Sequence, residues 1–301
     1  MAFWIVTDVC CDLPASYITK QENFLVAPMS YQIDGEVHEI DPLDENLSHT
    51  SHQFYEKLSN GSTSSTFQVT QQNWTDLLTP ICQQGQDILV LAFSSALSGT
   101  YESATLAAKE LSEQFKERRI LVVDSLCASL GEGLFVDHVL AFRNSDKTLE
   151  EAHQYALELV PKITLWFTVN DLHFLRRGGR VSATSAYVGS VLKIKPVLNV
   201  DPKGRLIARD KVQGRKRSLN ALLERAKEFA HEPEKQTMYI SHGDCLQDAT
   251  WLANKLKEEL LVPDVMISFV GPVVGSHSGP GTVALFFVGK DGAGRLDAPD
   301  K

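Results

Sequence analysis

Four short stretches of this chain gather hydroxyl and carboxylate side chains directly beside apolar runs. Asp8 closes FWIVTD at 3–8, and Ser94-Ser95-Ala96-Leu97-Ser98-Gly99-Thr100 follows the run DILVLAF. Asp124 and Ser125, with Ser129 close behind, follow RILVV, and Gly275-Ser276-His277-Ser278-Gly279-Pro280-Gly281 precedes TVALFFVG. Loops at the carboxyl ends of parallel strands are where α/β folds place ligands, so these groups are expected to converge. Each hydroxyl donates one hydrogen bond and accepts two, which suits an anionic oxygen without supplying a full charge. Arg180 is a further candidate, since Gly178 and Gly179 before it permit a tight helix exit that aims it either inward or along the surface into a salt bridge.

Other chemistries lack their signatures. A serine hydrolase of the α/β type needs GxSxG with serine at its centre, whereas the nearest string, GSHSG at 275–279, centres on His277. Gly279-Pro280-Gly281-Thr282-Val283-Ala284 fits GxGxxA, but the run after it is strand-like and leaves no room for an acidic ribose ligand. Gly279 and Gly281 therefore either shape a turn or touch the ligand directly. GxxxxGK[ST], CxxC and HExxH are all missing from the sequence, so no metal or cofactor is expected. The five cysteines, Cys10, Cys11, Cys82, Cys127 and Cys245, are odd in number and share no repeated spacing. That pattern argues against a disulfide framework and for a reducing, cytoplasmic setting.

The elements that must hold these groups follow from periodicity. FWIVTD, DILVLAF and RILVV alternate with helical patterns and imply a parallel sheet. Ala104, Ala107, Ala108, Leu111 and Phe115 recur at helical spacing, and Thr148 with Glu151 forms a capping box before another helix. After Pro161 the pattern changes: ITLWFTV reads as a strand, DLHFLRR as a helix stopped by glycine, and KPVLNV-DPKG-RLIARDK as a hairpin. An apolar helix through Ala183, Ala186, Tyr187 and Leu192 is expected to pack behind Arg180. Further on stand a helix through Leu219, Leu222, Leu223, Ala226 and Phe229, a strand at TMYIS, a helix around Trp251, and closing strands VMISFVG and TVALFFVG. The chain thus divides into an N-terminal α/β lobe at 1–160, a C-terminal α/β lobe at 161–290 and a disordered tail at 291–301. The polar stretch from Leu47 to Gln72 is read as a long loop.

Composition excludes further classes. With 301 residues, 43% hydrophobic and 22% charged, the chain is of ordinary folded type, and no apolar run is long enough to span a membrane. Its start, with no basic residue and an early Asp8, lacks the layout of a secretory signal. Net charge is −9, yet Arg176 to Arg217 holds 12 Lys/Arg against Asp201 and Asp210, which makes that window +10 and the remainder −19. One face should attract an anionic partner while the rest repels a polyanion, which disfavours nucleic acid.

Taken together, TDVCCDLP at 7–14, STFQVT at 65–70, SSALSGTYESA at 94–104, VVDSLCASLGEG at 122–133, LHFLRRGGRVSA at 172–183, LKIKPVL at 192–198 and GPVVGSHSGPG at 271–281 resemble the DegV family, in the family's order and through almost the whole chain. The resemblance implies a two-lobed α/β fold, with a parallel-sheet N-terminal lobe, a mixed C-terminal lobe and one long-chain fatty acid between them. It implies that Thr66, Ser94, Ser95 and His277 hold the carboxylate, with Ser125, Arg180, Gly279 and Gly281 in support. It also implies that a separate ATP-dependent fatty acid kinase phosphorylates the bound carboxylate for phospholipid synthesis, docking on Arg205, Arg209, Lys211 and Arg215. Phe67 stands where the family usually has serine, and Gln213 where it often has arginine. The alternative is a stand-alone α/β enzyme acting on a small phosphorylated or carboxylated metabolite, which would purify free of lipid and turn over unaided.

Overall fold

The computed structural model describes residues 3–181, 194–291 and 295–296. Its first half runs β1 (Trp4–Asp8), α1 (Ala15–Ile18), β2 (Phe24–Ala27), β3 (Met29–Ile33), β4 (Glu36–Ile40), α2 (Leu47–Ser59), β5 (Ser64–Thr66), α3 (Gln71–Gln83), β6 (Ile88–Ala92), α4 (Thr100–Gln114), β7 (Ile120–Asp124), α5 (Leu130–Arg143) and α6 (Leu149–Leu159). The second half runs β8 (Ile163–Thr168), α7 (His173–Arg177), β9 (Ile194–Val200), β10 (Leu206–Gln213), α8 (Arg215–Phe229), β11 (Met238–His242), α9 (Leu246–Leu260), β12 (Val265–Phe269), α10 (Pro272–Ser278) and β13 (Val283–Val288).

The first lobe is built on a parallel sheet ordered β2-β1-β6-β7. Every residue of β6 is buried, the signature of a central strand covered on both faces by helices. On α4, Ala104, Ala107, Ala108 and Leu111 make the buried stripe that their spacing predicts. The capping box of α6 is formed: Thr148 Oγ1 accepts from the Glu151 N–H at 3.2 Å, and Glu151 Oε2 accepts from the Thr148 N–H at 2.9 Å.

The second lobe carries a mixed sheet ordered β10-β9-β8-β13-β11-β12, antiparallel except between β11 and β12. Strands β8, β9, β11 and β13 alternate between two cores. Val283, Leu285 and Phe287 of β13 pack with Trp166, Leu222 and Leu252 beneath α8 and α9. Ala284 and Phe286 point the other way and join Leu165, Phe167 and the core of the first lobe. Period two thus makes one strand serve both lobes.

Three expectations change. The stretch 47–72 is not a long loop: Ser51, Phe54, Tyr55 and Leu58 recur at helical spacing and are buried along α2, while β5 completes a small antiparallel sheet ordered β4-β3-β5. The GSHSG string lies largely within α10, which Pro272 opens and Gly279, at φ +78°, ends. Within the segment expected to be disordered, Arg295 is buried and donates to the carbonyls of Leu126 and Ser125 at 3.0 and 3.3 Å. The helix expected through Ala183, Ala186, Tyr187 and Leu192 lies outside the described residues.

Replacing Thr148 by alanine should remove one half of the capping box and cost about 1 kcal/mol of stability, measured by urea unfolding with an unchanged m-value.

Candidate functional site

The face of the mixed sheet that Ala284 and Phe286 share does not close completely on the first lobe. Between them lies a space of about 950 Å³, part of it open solvent. Most of its wall is apolar, from Met29 and Phe93 of the first lobe to Leu165, Phe167, Val273 and Phe286 of the second. Polar groups concentrate where β5, the loop after β6, the exit of α7 and α10 meet.

At that end Thr66 Oγ1 and His277 Nε2 share a hydrogen bond of 2.9 Å, although 211 residues separate them in the chain. The other ring nitrogen, Nδ1, is buried and has no partner among the described residues. Burial, reinforced by the charges of Arg180 and Arg177, pushes His277 down to about 4. The imidazole is therefore neutral near pH 7, and the charges acting on it are cationic. The seat is made by Gly178, because a β-carbon there would collide with Nδ1.

Arg180 lines the cavity beside this pair. Its Nε and Nη2 donate to the Leu97 carbonyl at 3.1 and 3.0 Å, which ties the second lobe to the loop after β6. Half-burial lowers its pKa somewhat, and it makes no ion pair with a carboxylate among the described residues. The guanidinium is held by neutral carbonyls and retains an uncompensated charge. Ser98 completes the polar end, its Oγ 3.0 Å from Thr100 Oγ1. Phe67 stands at the rim, 46% exposed, where its N–H bonds the Ser30 carbonyl and continues the strand.

The structure therefore brings together Thr66, Arg180 and His277, but not the remaining predicted residues. Ser95 is exposed, does not line the cavity, and uses its N–H on Asp124 Oδ1 at 3.1 Å. Ser94 is fully buried and outside the cavity wall, lying under Gly204 of the β9–β10 hairpin. The reason is a turn: Leu97 and Ser98 N–H groups both bond the Ser94 carbonyl, which swings Leu97, Ser98 and Gly99 toward the cavity and leaves Ser95 and Ala96 outside. Ser125 Oγ accepts from the Cys127 N–H at 3.1 Å and shapes its own loop. Gly279 and Gly281 act by close packing, since a β-carbon would strike Phe174 or Asn170. Asp8 is also structural: it accepts from the Cys10 and Phe93 N–H groups at 3.1 and 3.0 Å, and burial raises it to about 6.

Of the expected docking residues, Arg205 is paired with Asp201 at 2.6 Å, and Arg215 with Asp248 at 2.7 Å. Arg209 donates to Asn199 Oδ1 at 2.8 Å and to the Leu296 carbonyl, and Lys211 is exposed on β10. Ser129 and Ser278, which stand in stretches expected to converge, line the cavity, and so does Ser241, which the sequence reading missed. Only the strand register of β11 against β13 reveals Ser241.

A family model described as an uncharacterised protein of the DegV family matches residues 2–290. The chain belongs to the DegV family. A DegV domain-containing protein of Clostridium perfringens is 40% identical over 288 residues, covering 95% of this chain and 97% of the relative. Among solved structures, a DegV lipid-binding protein of Thermotoga maritima is 29% identical with a TM-score of 0.82, covering 96% of this chain and 99% of its own. A DegV protein of Thermus thermophilus, described by its fatty acid binding, is 26% identical with a TM-score of 0.84, covering 96% of this chain and 100% of its own. These relatives show the two-lobed α/β DegV fold. No helix among the described residues is long and apolar enough to cross a membrane.

Histidine NMR of the ligand-free protein should find His277 neutral down to about pH 4. Gly178→Val should displace the ring from Thr66 and move its titration toward the ordinary value near 6.5.

Proposed function

We propose that this DegV protein binds a long-chain fatty acid, tail in the cavity and carboxylate at Thr66, Ser98, Arg180 and His277, and presents it to a separate ATP-dependent kinase for acyl-phosphate formation. The observation that carries the reading is an apolar cavity with one polar end, where a guanidinium with no ion pair among the described residues stands beside a neutral imidazole and hydroxyls. Burial of a chain of about 16 carbons at ~0.8 kcal/mol per CH₂ offers roughly 12 kcal/mol before ordering costs, so the tail supplies affinity and the polar end orientation. The lipid-binding relative of Thermotoga maritima and the fatty-acid-binding relative of Thermus thermophilus support the ligand class.

The kinase half of the reading is favoured by chemistry. A carboxylate becomes an acyl phosphate only with a phosphoryl donor, and the sequence holds no phosphate-cradling GxxxxGK[ST] loop. The basic window then serves as a steering surface. Arg205→Glu with Lys211→Glu reverses two of its exposed charges. It should slow association with the kinase at low salt and lose that effect at high salt, where the field is screened within a few ångströms.

Organic extraction of the purified protein followed by mass spectrometry should release a long-chain fatty acid, and the protein alone should show no turnover. Thr66→Val and Arg180→Gln should each weaken binding about tenfold or more by leaving a buried anionic oxygen short of a donor. A lipid-free protein with unaided activity on a small metabolite would overturn the assignment.

Binding should also be linked to protons. A bound carboxylate favours the charged imidazole and raises His277 from about 4, so binding takes up protons between that value and the raised one. Affinity should therefore rise as pH falls through that raised value, as long as the ligand carboxylate stays ionised. Titration calorimetry in buffers of different ionisation enthalpy should detect the uptake, and His277→Asn should abolish it.

A further inference from the structure

The cavity contains more hydroxyls than a carboxylate requires, and some of them stand along the channel meant for the tail. Strand β13 leads away from the His277 end, and Ala284 and Phe286 mark successive rows on its cavity face, about 6.7 Å apart. Ala284 pairs with Phe167 on one side and Ser241 on the other, while Phe286 pairs with Leu165. Ser241 is thus a polar member of the Ala284 row, inside an otherwise apolar stretch, and it is fully buried.

Ser241 is the outer end of a short hydroxyl chain. Its Oγ lies 2.9 Å from Ser129 Oγ, and Ser129 also bonds the Asp12 carboxylate. The Ser129 hydroxyl has one proton for these two neighbours. Where Asp12 is ionised, Ser129 donates to it and Ser241 donates to Ser129; burial raises Asp12 to about 7, and where it is protonated it donates to Ser129, which then donates to Ser241. In either arrangement Ser241 keeps a lone pair able to accept from the cavity. Ser129 sits at φ 56°, ψ −149°, a region sparsely populated by residues other than glycine and one that its two bonds hold in place. In the same cavity, Ser278 Oγ is buried and has no partner among the described residues.

We infer that the acyl chains this protein takes include ones bearing a hydroxyl in mid-chain, received by Ser241 with Ser278 as a second contact. The inference rests on the fatty-acid-binding reading above and narrows its ligand class. An unsubstituted tail leaves Ser278 without a partner and the accepting side of Ser241 unused. A hydroxyl at the matching carbon satisfies both it and the wall, whereas at any other carbon it is stranded against apolar side chains.

The test uses the delipidated full chain with stearate and a series of hydroxystearates carrying the hydroxyl at successive mid-chain carbons. One isomer should bind at least as tightly as stearate, with its neighbours about tenfold weaker. Ser241→Ala should weaken that isomer about tenfold and leave stearate within about twofold, which also shows that the variant is folded; Ser278→Ala should give a smaller loss of the same kind. If every isomer binds more weakly than stearate, or Ser241→Ala affects stearate and isomer alike, the inference fails while the fatty-acid reading stands. If neither stearate nor any isomer binds, both fall.

Discussion

The two-sidedness of the mixed sheet governs the rest of the molecule. A strand alternates its side chains strictly, so a sheet with apolar residues at both parities must be covered on both faces. Helices α8 and α9 cover one face of this sheet, and the other is covered by a second lobe that has its own sheet and its own helices. Two rigid surfaces of independent curvature do not fit without residue, and the cavity is the unfilled part of that contact. Its walls come from both lobes because neither lobe alone has a reason to be concave there.

Polar contacts hold the lobes in register across this seam. Asp137 of α5 accepts from Tyr239 of β11 at 2.8 Å and from Tyr17 of α1, so one carboxylate rivets α1, α5 and the second sheet. Tyr55 donates to the Val270 carbonyl at 2.7 Å, and Arg180 clasps the Leu97 carbonyl. Each is directional and short-ranged, unlike apolar burial. The hydrophobic contact brings the lobes together, and these bonds set how they sit.

The parts of this arrangement that were legible in the sequence are those with a local physical cause. Apolar runs such as DILVLAF, the stripe on α4 and the Thr148–Glu151 box act within a few residues, and each forms where its spacing places it. Helix α2 was obscured because its apolar residues are few and its exposed face is rich in polar side chains, so the turn signals around Asn60 dominated the reading. In the site, Thr66 and His277 were legible only through family motifs, since nothing local links β5 to α10. Ser95 was assigned over Ser98 because the string shows hydroxyls but not the turn at Ser94 that decides which of them face inward.

Under the fatty-acid reading proposed above, electrostatics explains how this site holds an anion without reacting with it. Nucleophilic or acid–base chemistry needs a group whose pKa lies near the working pH, with a partner that takes its proton. At the cavity mouth the titratable group is His277, and burial with two neighbouring cations drives it away from that range while Thr66, its partner, is a poor base. The arginine is permanently charged and anchored to carbonyls, so it contributes field and geometry but no proton transfer. A carboxylate entering this end finds positive potential and hydrogen-bond donors already oriented, and the protein reorganises little to receive it. Under the proposed fatty-acid reading, these features orient the carboxylate without supplying a group to react with it.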